Sequence, residues 1–491
     1  MPPMDPRRPV LVGVGTSAGD VEAVELMVRA TEAAGADAGA PGLLAAVERV
    51  VVPRGTWADT DPARTVAARI GAPGAETHLA DIGVLQQTLI DQVLAAITAG
   101  EIDVAVAVGG EAKARDARIA RRRVPGDAAG IASVVNHEAA EAGMGPDVRH
   151  VPDADIVARP EIEAGLWAPV EQYALIESAL RAHEGRSVAE DRADVAALHA
   201  RFNAVAQGNP EAAFPAPMDA VAIAELGPHN RPLAFPYGKW HASQWTVDQG
   251  AALLLCSVEA AERAGVPRDR WVFPLVGLES NQMVPLSRRA ELHRWPAMGV
   301  LGRAAEAHLG RPLTDARHVE LYSCFPVAVR VQQRELGLPL DGTPTVTGGM
   351  AFAGGPFNSF VFHGTAEVAR RLRAEPGLGL VTTVSGLLTK PGLAVWSSEP
   401  GDGPPLVADL AAEATAATGV TEVRSGHHGE ATVVAVTVTY DGFDPATVVA
   451  VLEADDGDRV IAKSTDPALL AEATTVELVG RRFTVAGNEL A

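Results

Sequence analysis

The stretch EIDVAVAVGGEA at 101–112 decides the fold class, because its apolar run suits a strand that is buried on both faces. A helical pattern near 83–99 precedes it and ends at Gly100, a residue that favours a helix C-cap. Strands covered on both faces are typical of sheets flanked by helices. The sequence therefore predicts an α/β protein.

Similar strand strings occur twice along the chain, which predicts a duplicated α/β unit. Three strings of the first part have counterparts in the same order later in the sequence. The pairs are PVLVGVGTS at 9–17 with VFPLVGLES at 272–280, VERVVVP at 47–53 with VELYSCFP at 319–326, and DVAVAVGG at 103–110 with LGLVTTVSG at 378–386.

Composition divides the remaining chain into an insertion and a C-terminal addition. Residues 111–240 are rich in Arg, Pro and Ala and contain a helical stretch near 171–206. After the linker-like WSSEPGDGPP at 396–405, β-rich runs and the hairpin signal Asp456-Gly457 indicate a small, OB-like β-barrel. The predicted domains are an N-terminal half at 1–110 and 241–270, an inserted domain at 111–240, a C-terminal half at 271–398 and an added β domain at 402–491.

Charge and cysteine content exclude several kinds of function. Lys and Arg number 41 against 62 Asp and Glu, and the net charge of −21 repels nucleic acid and anionic membranes. Two cysteines, Cys256 and Cys324, are too few for a disulfide scaffold or a thiolate-rich metal site. No apolar stretch reaches the ~20 residues of a membrane span and no signal peptide is evident, so a cytoplasmic location is expected.

The added β domain is itself acidic, with 15 acidic and 5 basic residues in 402–491. Barrels that bind single-stranded nucleic acid need a positive groove lined with aromatic side chains. Only Tyr440, Phe443 and Phe483 are aromatic in this range. We therefore expect the domain to pack on the α/β body or on a protein partner.

Two segments have features of phosphate-binding elements. GVGTSAG at 13–19 follows a strand, but its G-x-G-x3-G spacing and the lack of an acidic residue after the second strand favour a tight turn over a dinucleotide site. A basic run at 113–123 is either a solvated helix face or a patch for the phosphates of an anionic cofactor. Its arginines are Arg115, Arg118, Arg121, Arg122 and Arg123.

GGMAFAGGPFNSF at 348–360 is the most distinctive string. Its glycines, Gly354 and Gly355 among them, permit close backbone approach, and Asn358 precedes a helix predicted to begin near Phe360. Main-chain N–H groups at such a helix start can hold an oxyanion or a phosphate. A purely structural turn is the alternative, and the spacing alone does not decide between them.

In this order, these strings resemble the thiolase superfamily over about 9–398. EIDVAVAVGGEA is similar to the strand after the family's nucleophile helix, and WTVDQGAALLL at 245–255 to its DGAAA segment. GGMAFAGGPFNSF is similar to its G-G-x-x-x-x-G-H-P block, and VELYSCF at 319–325 to the H-D-C-F variant found in sterol-carrier-type thiolases. The resemblance implies a five-layered α/β/α/β/α fold of two similar halves with an inserted loop domain, here followed by an additional β domain.

Compared with the family, the chain lacks the catalytic residues. The nucleophilic Cys is expected near Gly83, but no Cys precedes Cys256. Tyr322 replaces the Asn or His of the second motif, Gly355 replaces the His of G-H-P, and Val384 replaces the Cys of the final C-x-G. Without nucleophile and base, the Claisen chemistry of thiolases through an acyl-enzyme is predicted to be absent.

Three functions remain open on this basis. The leading hypothesis is an acyl-CoA-binding protein that is acetyl-CoA acetyltransferase-like by resemblance. The alternative is a thiolase-like retro-aldolase that acts on β-hydroxyacyl-CoA, with Tyr322 as proton carrier; a tyrosine needs a positive neighbour or an oxyanion site to work near neutrality. A non-catalytic binding or scaffold protein is the third hypothesis.

The implied ligand is a CoA thioester of lipid metabolism, with no further cofactor and no metal. A protein partner or self-association is left open, while nucleic acid and a membrane span are not expected. The predicted catalytic residue is Tyr322. The predicted CoA-binding residues are Arg115, Arg118, Arg121, Arg122, Arg123, Gly354, Gly355 and Asn358.

Overall fold

The computed structural model describes residues 4–123 and 145–490. The first of these ranges forms β1 (Pro9–Ala18), α1 (Ala23–Asp37), β2 (Arg49–Pro53), α2 (Pro62–Arg69), β3 (Glu76–Ala80), α3 (Gln86–Ala99), β4 (Val104–Ala112) and α4 (Lys113–Arg123). The next segment forms β5 (Val148–His150), α5 (Arg159–Glu163), α6 (Pro169–His183), α7 (Val188–Gln207), α8 (Ala220–Ala224), β6 (Pro232–Ala234) and β7 (Tyr237–Gly238).

A second run of strands and helices follows. It consists of β8 (Asp248–Ser257), α9 (Val258–Arg263), β9 (Phe273–Glu279), α10 (Pro296–Leu309), β10 (Ala316–Glu320), α11 (Pro326–Glu335), α12 (Gly349–Phe352), α13 (Phe360–Ala374), β11 (Leu378–Ser385) and β12 (Lys390–Ser397). The C-terminal part forms β13 (Leu406–Asp409), α14 (Ala411–Ala417), β14 (His427–Asp441), β15 (Asp444–Ala454), β16 (Arg459–Ser464), α15 (Pro467–Ala473), β17 (Arg482–Gly487) and β18 (Glu489–Leu490).

Two sheets with equivalent strand arrangements form the body. The first has the order β1-β8-β4-β2-β3-β5 and the second the order β10-β11-β12-β9-β13. When β1-β8-β4-β2 is compared with β9-β12-β11-β10, the successive pairings in both are antiparallel, antiparallel and parallel. The predicted duplication is therefore confirmed. The three pairs of similar strings form the strand pairs β1 and β9, β2 and β10, and β4 and β11.

The two sheets enclose a central layer of helices. Both α3 and α13 contact strands of the two sheets, while α1 packs on the first sheet and α10 on the second. Alternate residues of β4 show this layering, since Val104 and Val106 join the cluster under α1 whereas Ala105 and Ala107 join the cluster around α3. The result is the predicted five-layered α/β/α/β/α arrangement.

The segment GVGTSAG differs from its prediction as a tight turn, because β1 extends through it to Ala18. Its glycines instead allow α1 to lie close against the strand. A Cβ atom at Gly15 would lie 2.0 Å from the carbonyl oxygen of Ala30, and one at Gly13 would lie 2.1 Å from that of Ala34. The pattern of glycines in this strand therefore reflects helix packing.

Strand β13, which lies in the range that the sequence assigns to the added β domain, completes the second sheet. Strand β13 pairs in parallel with β9, from Leu406 beside Val276 to Asp409 beside Glu279. The chain leaves this sheet only after Asp409.

The C-terminal strands form a closed barrel of five strands, as predicted. Their order is β15-β16-β18-β17-β14, and pairing of β14 with β15 closes the ring. The barrel packs on the body through main-chain and side-chain contacts. Arg181 of α6 donates to Glu477 at 2.6 Å, and the amide of Val436 in β14 donates to Ser178 at 2.9 Å.

Within the described ranges, no helix has the length and apolar character required to cross a membrane.

Substitution of Gly15 by Ala tests the close packing of α1 on β1. The added methyl group would meet main-chain atoms of α1, so the helix must shift, and we expect a loss of about 1–3 kcal/mol in the free energy of unfolding. Gly74→Ala is the control, since nothing lies within 4 Å of a Cβ atom there. Urea denaturation of both variants measures the difference, and equal stabilities would contradict the packing described.

Candidate functional site

Four segments meet between the two sheets at the ends of β10, β11, α3 and α13. The carbonyl oxygen of Gly83, just before α3, accepts from Lys390 Nζ at 2.8 Å and lies 3.4 Å from Ser385 Oγ. The side-chain Nε2 of Gln86, in the first turn of α3, donates to Asn358 Oδ1 at 2.7 Å. Gly83, Ser385 and Asn358 lie in the segments that resemble the family's nucleophile helix, its C-x-G turn and its G-H-P block. These contacts therefore bring the three segments into one site.

No thiol lies at the position expected for a nucleophile. Gly83 has a φ of 100°, and a side chain there would meet Pro152 at 3.1 Å. Cys256 lies in β8 and Cys324 follows β10, and burial raises the pKa of both thiols to about 12. Both cysteines therefore remain protonated near neutrality and are poor nucleophiles.

Lys390 is the functional candidate that sequence reasoning missed. This residue is the first of β12 and is only 4% exposed. Burial lowers the pKa of its ammonium group below the ordinary value, although Asp153, Glu279 and Asp409 act in the opposite direction. The one signal in the sequence is a single lysine within the otherwise apolar run LLTKPGLAVW at 387–396. A buried ammonium group beside a helix N-terminus can stabilise a developing oxyanion or a thioester carbonyl.

The turn that carries Ser385 towards Lys390 is held by Arg289. Gly386, Leu387 and Leu388 have φ values of 61°, 59° and 60°, a left-handed conformation that is unfavourable for the two leucines. The buried guanidinium of Arg289 donates to the carbonyl of Leu387 at 2.6 Å and to that of Gly386 at 3.4 Å. Its Nε donates to Val284 at 3.1 Å, so one side chain fixes the turn to the preceding loop.

Tyr322, the predicted catalytic residue, lies directly after β10. Its ring stands edge-on to Phe360 with centroids 6.1 Å apart, and its main-chain amide donates to Thr382 at 2.8 Å. Burial, with a smaller contribution from Cys324, raises the pKa of its phenol above the ordinary value. The phenol is therefore neutral near pH 7 and suited to donating a hydrogen bond rather than to removing a proton.

The glycines of the G-H-P block are packed against protein atoms. Gly354 has a φ of 99°, and its Cβ position lies 2.4 Å from Gln249 Oε1. A Cβ atom at Gly355 would lie 2.0 Å from Ser243 Oγ, so a histidine at this position, as in the family motif, would require Ser243 to move. Asn358, at a φ of 57°, donates to the carbonyl of Arg54 at 3.0 Å while it accepts from Gln86.

Two arginines of α4, Arg115 and Arg118, are engaged with carboxylates. Arg118 lies 2.7 Å from Asp248 and 2.9 Å from Asp20, and Arg115 lies 3.6 Å from Glu22. Arg121 is exposed and donates to the carbonyl of Ala117, one helical turn earlier. The side chains of Arg122 and Arg123 lie outside the described residues.

Two buried carboxyl groups lie beneath the start of α3. Asp91 is fully enclosed and its pKa is raised by burial, with a contribution from Glu279. Burial also raises the pKa of Glu279 to about 7, although Thr88 donates a hydrogen bond to it. Glu279, which interacts with Lys390, is therefore largely protonated in mildly acidic solution.

The pKa of Glu279 makes stability depend on pH. Its native value near 7 exceeds the ordinary value of 4.5, so the native state holds more protons between these values and stability falls as pH rises. Glu279→Gln removes this titration, and we expect the variant to gain roughly 1–3 kcal/mol over the unchanged protein at pH 8 and little at pH 5. Denaturant unfolding at both pH values measures the gain, with Glu413→Gln on the exposed face of α14 as control. A gain of the same size at both pH values would show that Glu279 does not titrate in this way.

Comparison with known proteins agrees with this architecture. A monomeric SCP2-thiolase like protein type 1 from Mycobacterium smegmatis has a TM-score of 0.82 and 29% identity, with 99% of this chain and 100% of that chain covered. The Ltp2-ChsH2(DUF35) aldolase has a TM-score of 0.60 and 19% identity, covering 80% and 99% of the two chains. The dimeric peroxisomal thiolase of Saccharomyces cerevisiae has a TM-score of 0.56 and 18% identity, covering 81% and 99%.

Neither a protein-family model nor a curated protein matches the sequence. The two more distant structures share the fold alone, whereas the mycobacterial protein is similar to this chain over nearly its entire length. The fold, the duplicated sheets and this full-length similarity place the chain in the thiolase superfamily, as a relative of the SCP2-thiolase-like proteins.

Proposed function

We propose that this protein binds CoA thioesters between its two sheets without forming an acyl-enzyme. The observation that carries the proposal is the contact between Lys390 Nζ and the carbonyl of Gly83, at the position expected for the family's cysteine. A thioester carbonyl that replaces the Gly83 carbonyl as acceptor would gain a charge-assisted hydrogen bond from Lys390. The N-terminus of α3, which begins at Gln86 shortly after Gly83, favours partial negative charge there.

The other predicted residues contribute unequally to this proposal. Asn358 orients Gln86, and Tyr322 supplies a neutral phenol at the end of β10. Arg115 and Arg118 already have carboxylate partners, which weakens the expectation that they hold the phosphates of CoA. Gly354 and Gly355 serve the packing of the turn before α13.

A retro-aldol cleavage of β-hydroxyacyl-CoA is the second candidate, favoured by Tyr322 and by the fold shared with an aldolase. In that reaction a base removes the β-hydroxyl proton, the Cα–Cβ bond breaks, and the resulting thioester enolate takes up a proton. Lys390 would stabilise the enolate oxygen, and the neutral phenol of Tyr322 would supply the proton. Carbonyl products from a β-hydroxyacyl-CoA would favour this candidate over simple binding.

Calorimetric titration with acetoacetyl-CoA tests the proposed site. We expect saturable binding to the unchanged protein and binding weaker by about tenfold or more in Lys390→Met, because the ammonium donor is lost while the buried volume is kept. Lys463→Met in the barrel is the matched control and should bind normally. Thermal unfolding verifies that each variant is folded.

The same samples are assayed for thiolysis of acetoacetyl-CoA in the presence of free CoA. Binding without turnover is the expected result. Turnover by the unchanged protein would contradict the proposed absence of acyl transfer, and equal affinity of Lys390→Met would contradict the placement of the thioester.

A further inference from the structure

A groove of about 470 Å³ lies where the barrel meets the body, apart from the site between the sheets. Its volume falls in the range of small-molecule sites. One wall comes from α6 and the segment before α10, and the other from β14 and the segment before β17. The apolar side chains that line it are Ala179, Ala182, Leu292, Val433, Val434 and Val479.

The groove also contains a buried cation that is only partly satisfied. Arg459, the first residue of β16, is 4% exposed and lines the groove. Its Nη2 donates to the carbonyl of Ala290 at 2.9 Å, and its Nη1 lies 2.9 Å from Glu453 Oε2. Its Nε and Nη1 are both buried, and neither has a hydrogen-bond partner among the described residues, so the contact with Glu453 is an ion pair alone. A buried guanidinium N–H without an acceptor points to a ligand that supplies one.

A second unused polar group lies in the same groove. The imidazoles of His183 and His293 stack with centroids 4.0 Å apart, and both residues line the groove. The buried Nε2 of His293 also has no hydrogen-bond partner among the described residues. In the tautomer that carries a proton on Nε2, this ring offers a second donor to an anion.

We infer that the groove binds a small aliphatic carboxylate, with the carboxylate at Arg459 and the chain along the apolar wall. A carboxylate supplies the acceptor that the free Nε–H requires, and an aliphatic chain matches the alanine, leucine and valine side chains of the wall. A doubly charged phosphate fits less well, because Glu453 pairs with the same guanidinium and Glu291 lines the rim. This inference is independent of CoA binding between the sheets.

Octanoate is the probe for this site, and calorimetric titration of the full chain gives its affinity. We expect saturable binding of octanoate and binding of uncharged 1-octanol weaker by about tenfold or more, since the alcohol lacks the charge that pairs with Arg459. Arg459→Lys keeps the charge but removes the Nε–H, and should weaken octanoate binding by a similar factor. Arg482→Lys, an exposed arginine of the same barrel, is the matched control.

Ala182→Phe provides a test that leaves Arg459 intact. The larger ring projects from α6 into the groove and should abolish octanoate binding, whereas Ala68→Phe on the exposed face of α2 should not change it. If Arg459→Lys fails to fold, Ala182→Phe alone decides the question. Absence of octanoate binding, equal binding of octanol, or unchanged binding in Ala182→Phe would each overturn the inference.

Discussion

The buried guanidinium of Arg289 is the interaction on which the geometry of the candidate site depends. It binds the carbonyls of Gly386 and Leu387 and so holds a left-handed turn that would otherwise be unfavourable. That turn places Ser385 and Lys390 against Gly83. Burial lowers the pKa of Arg289 to about 10, which remains high enough for the side chain to stay charged near neutrality.

The barrel is joined to the same stretch of backbone. Ala290, the residue after Arg289, accepts a hydrogen bond from Arg459 of the barrel and its amide donates to Gly419. Removing the guanidinium of Arg289 would leave the carbonyls of Val284, Gly386 and Leu387 without this donor, next to the residue that attaches the barrel. A charge buried among main-chain carbonyls is costly to leave unpaired, so these elements are held together as a unit.

The sequence predicts the sheets well because a strand covered on both faces is an unbroken apolar run, as in β4. It predicts the duplication because the strings of β1, β2 and β4 reappear in order. The prediction of a tight turn at GVGTSAG is wrong, because position 15 must be glycine to let the main chain of Ala30 in α1 approach the strand. No local pattern in the sequence reveals this contact. Lys390 and Arg289 are missed for the same reason, since each acts through main-chain carbonyls of distant segments.

We propose that Lys390 and the carbonyl of Gly83 lie where thiolases are expected to carry their nucleophilic thiol. Mass spectrometry of the intact protein after incubation with acetyl-CoA, with and without hydroxylamine, tests it directly. We predict that no hydroxylamine-labile acetyl adduct forms at any residue, because the raised pKa of both thiols, about 12, keeps them protonated near neutrality. A stoichiometric adduct that hydroxylamine removes, localised to Cys324 or to the start of α3, would contradict the account.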